Sequence, residues 1–354
     1  MDDQYTPIIS EEERAARRAQ RAKIRRQRQR ARRRRQLKLF LSASGLVLLI
    51  LLLAFGNRQE AAPEPAPDEP VPAVEPTALS EDPEKPYSAA ETSATVQLGS
   101  SIDSSYAVLI DLQTDTILAE KGAHTVISPA SMTKLMTLLV AAEHVTDLDD
   151  TFTMTIDITD YCYVNGCSVV GLDIGETVSI RELLYGTILP SGADASLGLA
   201  VYLAGSHEAF VEMMNQKAEE LGIAETTHFT NCVGIYDEAH VSTVYDMAVI
   251  LKAAMDNELC REVLRARTYA TVPTEAHPDG QTLSNWFLRR IEDHVPSTFQ
   301  VIGAKTGYVV QSGSCAASCG EDADGNRYIC VTGDAGSSWR CIFDHVALYE
   351  EYCN

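Results

Sequence analysis

The feature that divides this chain most sharply is the run Leu39 to Phe55, which holds neither a charged residue nor a proline. As a helix it would extend roughly 26 Å, close to the thickness of a bilayer's hydrocarbon core. Charge changes sign across it. Residues 1 to 38 carry 14 Lys/Arg against 5 Asp/Glu, whereas residues 59 to 354 carry 14 basic against 45 acidic side chains. A Lys/Arg excess marks the side that stays in the cytoplasm. The expected layout is therefore a basic cytoplasmic tail over 1–38, a single transmembrane helix over 39–55 and an exported remainder at the cell membrane. A cleaved signal peptide competes with this, since Ala54-Phe-Gly56 loosely fits a cleavage site. The polar head is much longer than an ordinary n-region, which favours an uncleaved anchor. The run Arg25 to Arg35 alone would suit an RNA-binding arm, but the apolar run behind it reads as an anchor. The acidic body opposes nucleic acid, so no nucleic-acid partner is expected.

Beyond the apolar run, residues 56–100 read as a spacer. Eight of the fourteen prolines fall between Pro63 and Pro86, among Glu, Asp and Ala and almost no large apolar residues. Such a segment buries too little surface to fold and extends by self-repulsion. The folded body is expected over 101–354. Tyr106 to Leu112 and Thr116 to Glu120 read as a β-hairpin. Helical periodicity follows around 180–185, 193–203, 207–221 and 242–251. Strands return at Val301–Tyr308, Ser312–Ser318 and Arg327–Thr332, the last two joined by the Asp324-Gly-Asn turn, and an amphipathic helix over 337–352 closes the chain. The fold class is α+β: an antiparallel sheet built from both chain ends, flanked by helices, with an inserted all-helical subdomain.

Three short segments carry chemistry. Ser128-Pro-Ala-Ser-Met-Thr-Lys134 runs on into an apolar helical stretch; Pro129 suits a first turn, and Ser131 and Lys134 share one helix face at i, i+3. A serine with an amine in reach can act as an acyl-transfer nucleophile without a histidine base. One such spacing is expected by chance in a chain of this length. Leu189-Pro-Ser-Gly-Ala-Asp-Ala195 is a turn between two helices that can present Ser191. Lys305-Thr-Gly307 sits on a strand and offers an ammonium, a hydroxyl and an unobstructed edge to a ligand that carries a carboxylate.

The joint occurrence of S-x-x-K, a Ser-Gly turn and K-T-G, in that order and widely spaced, resembles the signature set of penicillin-recognising serine enzymes. From Ser101 onward the sequence is similar to the D-alanyl-D-alanine carboxypeptidases, the low-molecular-weight penicillin-binding proteins. Gly171-Leu-Asp-Ile-Gly-Glu-Thr-Val178, Leu183-Leu-Tyr-Gly186 and His228-Phe-Thr-Asn231, with Gly234, His240 and Asp246, add to the resemblance. It implies a DD-peptidase/β-lactamase-like fold. Ser131 would be the nucleophile, Lys134 its base and Ser191 a proton relay, while Lys305, Thr306 and Gly307 would hold the substrate's carboxylate and backbone. The N–H groups of Ser131 and Tyr308 would form the oxyanion hole. Burial beside a second cation such as Lys305 would lower the Lys134 pKa, as a base requires. Arg340 is a weaker carboxylate candidate, with an exposed helix-start arginine as the plain alternative.

The implied activity is removal of the terminal D-Ala from peptidoglycan stem peptides through a Ser131 acyl-enzyme, with β-lactams as inhibitors. A DD-endopeptidase, a β-lactamase and a low-turnover penicillin-binding sensor are the rivals. Three departures from the family pattern stand out. The second motif, usually Ser-x-Asn, has Ala193 in its third position, leaving Asp194, a water or Asn231 to compensate. The expected anchor is N-terminal, whereas many relatives attach through a C-terminal helix. Cys232 stands where relatives often carry proline. Neither His nor Cys shows metal spacing, so no metal and no cofactor are expected. The nine cysteines all follow residue 160. Either a Cys162–Cys167 loop and a pairing of Cys330 with Cys315 or Cys319, or reduced buried thiols, fits the sequence.

Overall fold

The structure, a computed structural model, describes residues 86–353. The expected cytoplasmic tail, the transmembrane helix and the larger part of the spacer lie outside the described residues. Among the described residues no helix is long and apolar enough to cross a membrane.

The body begins earlier than expected. Strand β1 (Ala90–Gln97) lies within the segment read as spacer and pairs in parallel with β3 (Thr116–Lys121), which forms the expected hairpin with β2 (Tyr106–Asp111). A helical block follows, beginning with α1 (Lys134–His144). It continues through β4 (Thr151–Thr153), α2 (Ile156–Val164), β5 (Thr177–Ser179), α3 (Ile180–Ile188), α4 (Ala193–Ala204), α5 (His207–Glu220), α6 (Val244–Asp256) and α7 (Glu258–Arg265). Next come β6 (Thr268–Ala270), β7 (Thr282–Ser284) and α8 (Trp286–Ile291). The chain then returns as β8 (Phe299–Val309), β9 (Gly313–Asp322) and β10 (Arg327–Ala335), and ends in α9 (Ser338–Tyr352). The insert is thus not purely helical: β4–β5 and β6–β7 form two small antiparallel ladders within it.

The main sheet runs β1-β3-β2-β10-β9-β8 and is antiparallel except at the β1 edge. Strands from the two chain ends meet where β2 pairs β10, Val108 facing Val331. Both sheet faces are covered, which the period-2 alternation of strand side chains makes visible. Val108, Ile110, Ile329 and Val331 pack into the core shared with the helical block. Their neighbours Ala107, Leu109, Tyr328 and Cys330 pack against α8 and α9 through Phe287, Leu288, Ile342 and Tyr349. The last helix is tied down by polar contacts: the Asp344 carboxylate accepts from the Asp103 and Ser104 amides at 2.9 and 2.8 Å. His345 lies between Ser318 Oγ and Thr332 Oγ1 at 2.7 and 3.0 Å, and burial pushes its pKa down to about 3, so the ring is a neutral strut.

All nine cysteines are free thiols. Cys330 packs toward α9 whereas Cys315 and Cys319 pack toward the helical block. A bridge between Cys330 and either of them would have to cross the sheet, which rules out the two Cys330 pairings considered from sequence.

Candidate active site

The first motif is shaped before the helix begins. Ile127 forms a two-bond bridge with Ser242, and a 3-10 turn over Ala130–Thr133, with Ala130 at φ 46°, delivers the chain into α1. The sequence predicts a helix that Ser131 opens; the structure puts Ser131 in the tighter turn and starts the α-helix at Lys134. The expected contact is present. Lys134 Nζ donates to Ser131 Oγ at 3.2 Å and to the Val233 carbonyl at 2.6 Å. Lys134 is almost wholly buried, and burial lowers its pKa to about 8, partly opposed by Cys167, Cys232 and Cys162. The amine is therefore neutral in a sizeable fraction of molecules near neutral pH.

Two glycines allow the nucleophile to be approached from both sides. Gly234 adopts φ 78°, and a Cβ there would lie 2.0 Å from the Ala130 carbonyl oxygen. A Cβ at Gly307 would lie 3.0 Å from the Ser131 nitrogen and 2.8 Å from Cys315 Sγ. Strand β8 can lie alongside Ser131 only because residue 307 has no side chain.

The second motif joins α3 to α4. A capping box starts α3, with Ser179 Oγ accepting from the Glu182 amide and Glu182 accepting from the Ser179 amide. The helix ends before Pro190, and Ser191 takes φ 61°, a backbone state that costs a non-glycine residue about 1–3 kcal/mol. Such strain at a serine facing a lysine is characteristic of functional turns. Lys305 Nζ donates to Ser191 Oγ at 2.8 Å and to the Thr306 carbonyl at 2.7 Å. Burial depresses the Lys305 pKa, and the nearby charge of Lys134 depresses it further. The effect of the lysine pair thus falls on Lys305, while Lys134 owes its own shift to burial. Thr306 and Tyr308 alternate with Gly307 and are exposed, leaving the edge of β8 open to solvent.

Neither side chain expected to replace the missing amide at Ala193 turns toward the lysines. Asp194 accepts from the Val170, Gly171 and Leu172 amides at 2.8, 2.9 and 3.1 Å. Asn231 Oδ1 accepts from Val233, Gly234 and Ile235, shaping the turn that presents the Val233 carbonyl. That main-chain carbonyl gives Lys134 a polar partner that no side-chain motif announces. His240 adds support: its ring bonds Thr133 Oγ1 at 2.7 Å and accepts from the Thr230 amide, and burial lowers its pKa to about 4. Arg340 is exposed and donates to Asp103 at 2.8 Å. No group of three or more metal-ligating side chains occurs among the described residues.

Ser131, Lys134, Ser191 and Lys305 thus meet at the seam between β8 and the helical block, with Thr306, Gly307 and Tyr308 on the exposed strand edge beside them. This arrangement can activate a serine, carry a proton and hold an extended peptide. The family model for D-alanyl-D-alanine carboxypeptidase matches residues 90–336. The D-alanyl-D-alanine carboxypeptidase DacF of Bacillus subtilis is 32% identical over 209 residues, 59% of this chain and 52% of the relative, so the chain spans about half the length of that protein. A D-alanyl-D-alanine carboxypeptidase from a Streptomyces strain is 35% identical over 55% of this chain and 68% of its own. Among solved structures, a Streptomyces DD-transpeptidase superposes with a TM-score of 0.65 at 28% identity, covering 70% of this chain and 96% of that one. With its site geometry, its fold and a family-model match that spans residues 90–336, the chain belongs to the D-alanyl-D-alanine carboxypeptidase family.

Proposed function

We propose that the protein is a serine-type D-Ala-D-Ala carboxypeptidase that removes the terminal D-Ala of peptidoglycan stem peptides and is acylated by β-lactams. The observation that carries this reading is the pair of short lysine–serine contacts, Lys134 to Ser131 and Lys305 to Ser191, meeting at one seam. Neutral Lys134 accepts the Ser131 proton as Oγ attacks the carbonyl carbon of the penultimate D-Ala. The oxyanion forms beside the Ser131 and Tyr308 amides. Collapse of the intermediate breaks the peptide bond, and the leaving amine takes its proton through Ser191, whose oxygen is held by Lys305. Water then hydrolyses the Ser131 ester. Thr306 and the Lys305 charge attract the substrate carboxylate, and Gly307 lets the peptide lie along β8.

The membrane layout belongs to the same proposal: residues 39–55 anchor the chain, and the acidic body works on the extracytoplasmic side. Protease added to intact spheroplasts should then remove the body and spare the basic tail.

The decisive experiment measures D-Ala release from a pentapeptide ending in D-Ala-D-Ala, with fluorescent penicillin labelling in parallel and Ser131→Ala as control. Release and labelling that both vanish in the variant are expected. Labelling without release would sink the carboxypeptidase reading in favour of a sensor, or of an endopeptidase that needs cross-linked substrate.

A further inference from the structure

The seam has a feature that the reaction does not use. Cys162, on the last turn of α2, and Cys167, five residues on, are held side by side: the Cys167 amide donates to the Cys162 carbonyl at 3.0 Å, and the two thiols are in hydrogen-bonding contact. Cys162 is buried, while Cys167 is the one cysteine of the nine that is not. The hydrogen bond with Cys162 holds the Cys167 pKa below its ordinary value, opposed by its partial burial and helped by the charge of Lys134. The same hydrogen bond pushes Cys162 up. A half-buried thiol of lowered pKa backed by a second thiol is the arrangement that exchanges with disulfides. The remaining cysteines are buried, and Cys232, Cys260, Cys315, Cys319, Cys330, Cys341 and Cys353 all have their thiols pushed up by burial.

The position of the pair links it to the second motif. Ser168, the residue after Cys167, accepts from the Ala193 amide at 2.8 Å, and the following amides of Val170, Gly171 and Leu172 are held by Asp194. The 167–172 segment is therefore the backing of the turn that presents Ser191.

We propose that Cys162 and Cys167 form a thiol–disulfide exchange site that takes low-molecular-weight disulfides, and that its closure to an internal disulfide slows acylation of Ser131. The Cys167 thiolate attacks one sulfur of the small disulfide, forming a mixed disulfide and expelling one thiolate. Cys162 then loses its proton and attacks the Cys167 sulfur, releasing the second thiol. The balance is one small disulfide consumed, two thiols released and one protein disulfide formed. Drawing two thiols from hydrogen-bonding distance to a covalent bond shifts residue 167 and, through Ser168, Ala193 and the Ser191 turn. A displacement of about 1 Å at a reacting group can cost on the order of a hundredfold in rate.

The test incubates the detergent-solubilised full-length protein with oxidised glutathione, blocks residual thiols with an alkylating reagent and maps the peptides by mass spectrometry. Fluorescent penicillin labelling of Ser131 is timed in parallel. The expected result is a Cys162–Cys167 link formed before any other cysteine reacts, with labelling slowed about tenfold and restored by dithiothreitol. Cys162→Ser should instead accumulate a glutathione adduct on Cys167, and Cys167→Ser should take up none. A wild-type adduct that never closes, prior reaction at another cysteine, or closure with unchanged labelling would overturn the proposal. Mapping reads the link whether or not the protein releases D-Ala, so its failure is distinct from failure of the carboxypeptidase reading.

Discussion

At the scale of single residues, the site rests on burial as much as on residue type. Lys134 is held neutral part of the time because the core removes it from water, with a lowered pKa of about 8. Ser131 acylation requires the neutral amine, so its rate should rise roughly tenfold per pH unit below that value and level off above it. Penicillin labelling timed between pH 6 and pH 9 checks this; a flat profile would remove Lys134 from the role of base. Gly234→Ala tests the steric side of the same site. The added methyl group meets the Ala130 carbonyl and a left-handed backbone, so the variant should lose on the order of 1–3 kcal/mol in chemical denaturation and nearly all labelling. Residue-scale legibility was uneven for a physical reason. Ser131, Lys134, Ser191 and Lys305 are chemically distinctive and stood out in the sequence. The Val233 carbonyl that holds Lys134 did not, because every residue carries a carbonyl and only the turn shaped by Asn231 aims this one.

At the scale of elements, the hairpin, the C-terminal strands and the longer core-facing helices were legible from their periodicity, and several short helices were missed although they too bury apolar side chains. The hairpin, the three C-terminal strands and the long helices repeat apolar residues at spacing 2 or 3.6. Helices α2, α7 and α8 run nine, eight and six residues, so few turns are present for a period to stand out from the sequence. The same scale explains Asp194. From sequence it was a possible substitute for the missing amide; in the structure it begins α4 and clamps the 170–172 strap against the second motif. Asp194→Ala leaves those amides without their acceptor and should cost about 1–3 kcal/mol, as unsatisfied buried groups do. Labelling should slow as the Ser191 turn loosens, with Asp194→Asn intermediate. Full labelling by a destabilised Asp194→Ala protein would confine the clamp to stability.

At the scale of the whole body, the question is where it begins, and composition misled the reading there. Strand β1 follows a Pro/Glu spacer, reads Ala-Glu-Thr-Ser-Ala-Thr-Val-Gln and is exposed along nearly its whole length, so neither alternation nor hydrophobicity marks it. Backbone pairing and its flanks hold it in place. The Leu98 amide donates to the Glu120 carbonyl at 2.8 Å, Thr95 Oγ1 to the Ile117 carbonyl at 2.6 Å, and Tyr245 clasps Ala89 with two bonds, accepting at 2.9 Å and donating at 3.1 Å. Its removal would uncover the edge of β3, a row of unpaired amides and carbonyls that recruits other chains. A body begun at residue 101 should therefore melt several degrees below one begun at residue 86, since about 1 kcal/mol moves a domain this large by roughly 2–4 °C. It should also aggregate faster at equal concentration while keeping its Ser131 labelling when freshly folded, because none of the lysine–serine contacts involves β1. Thermal melts and light scattering on the two proteins check this. Equal melting temperatures would make β1 an ornament on the sheet and return residues 86–100 to the spacer.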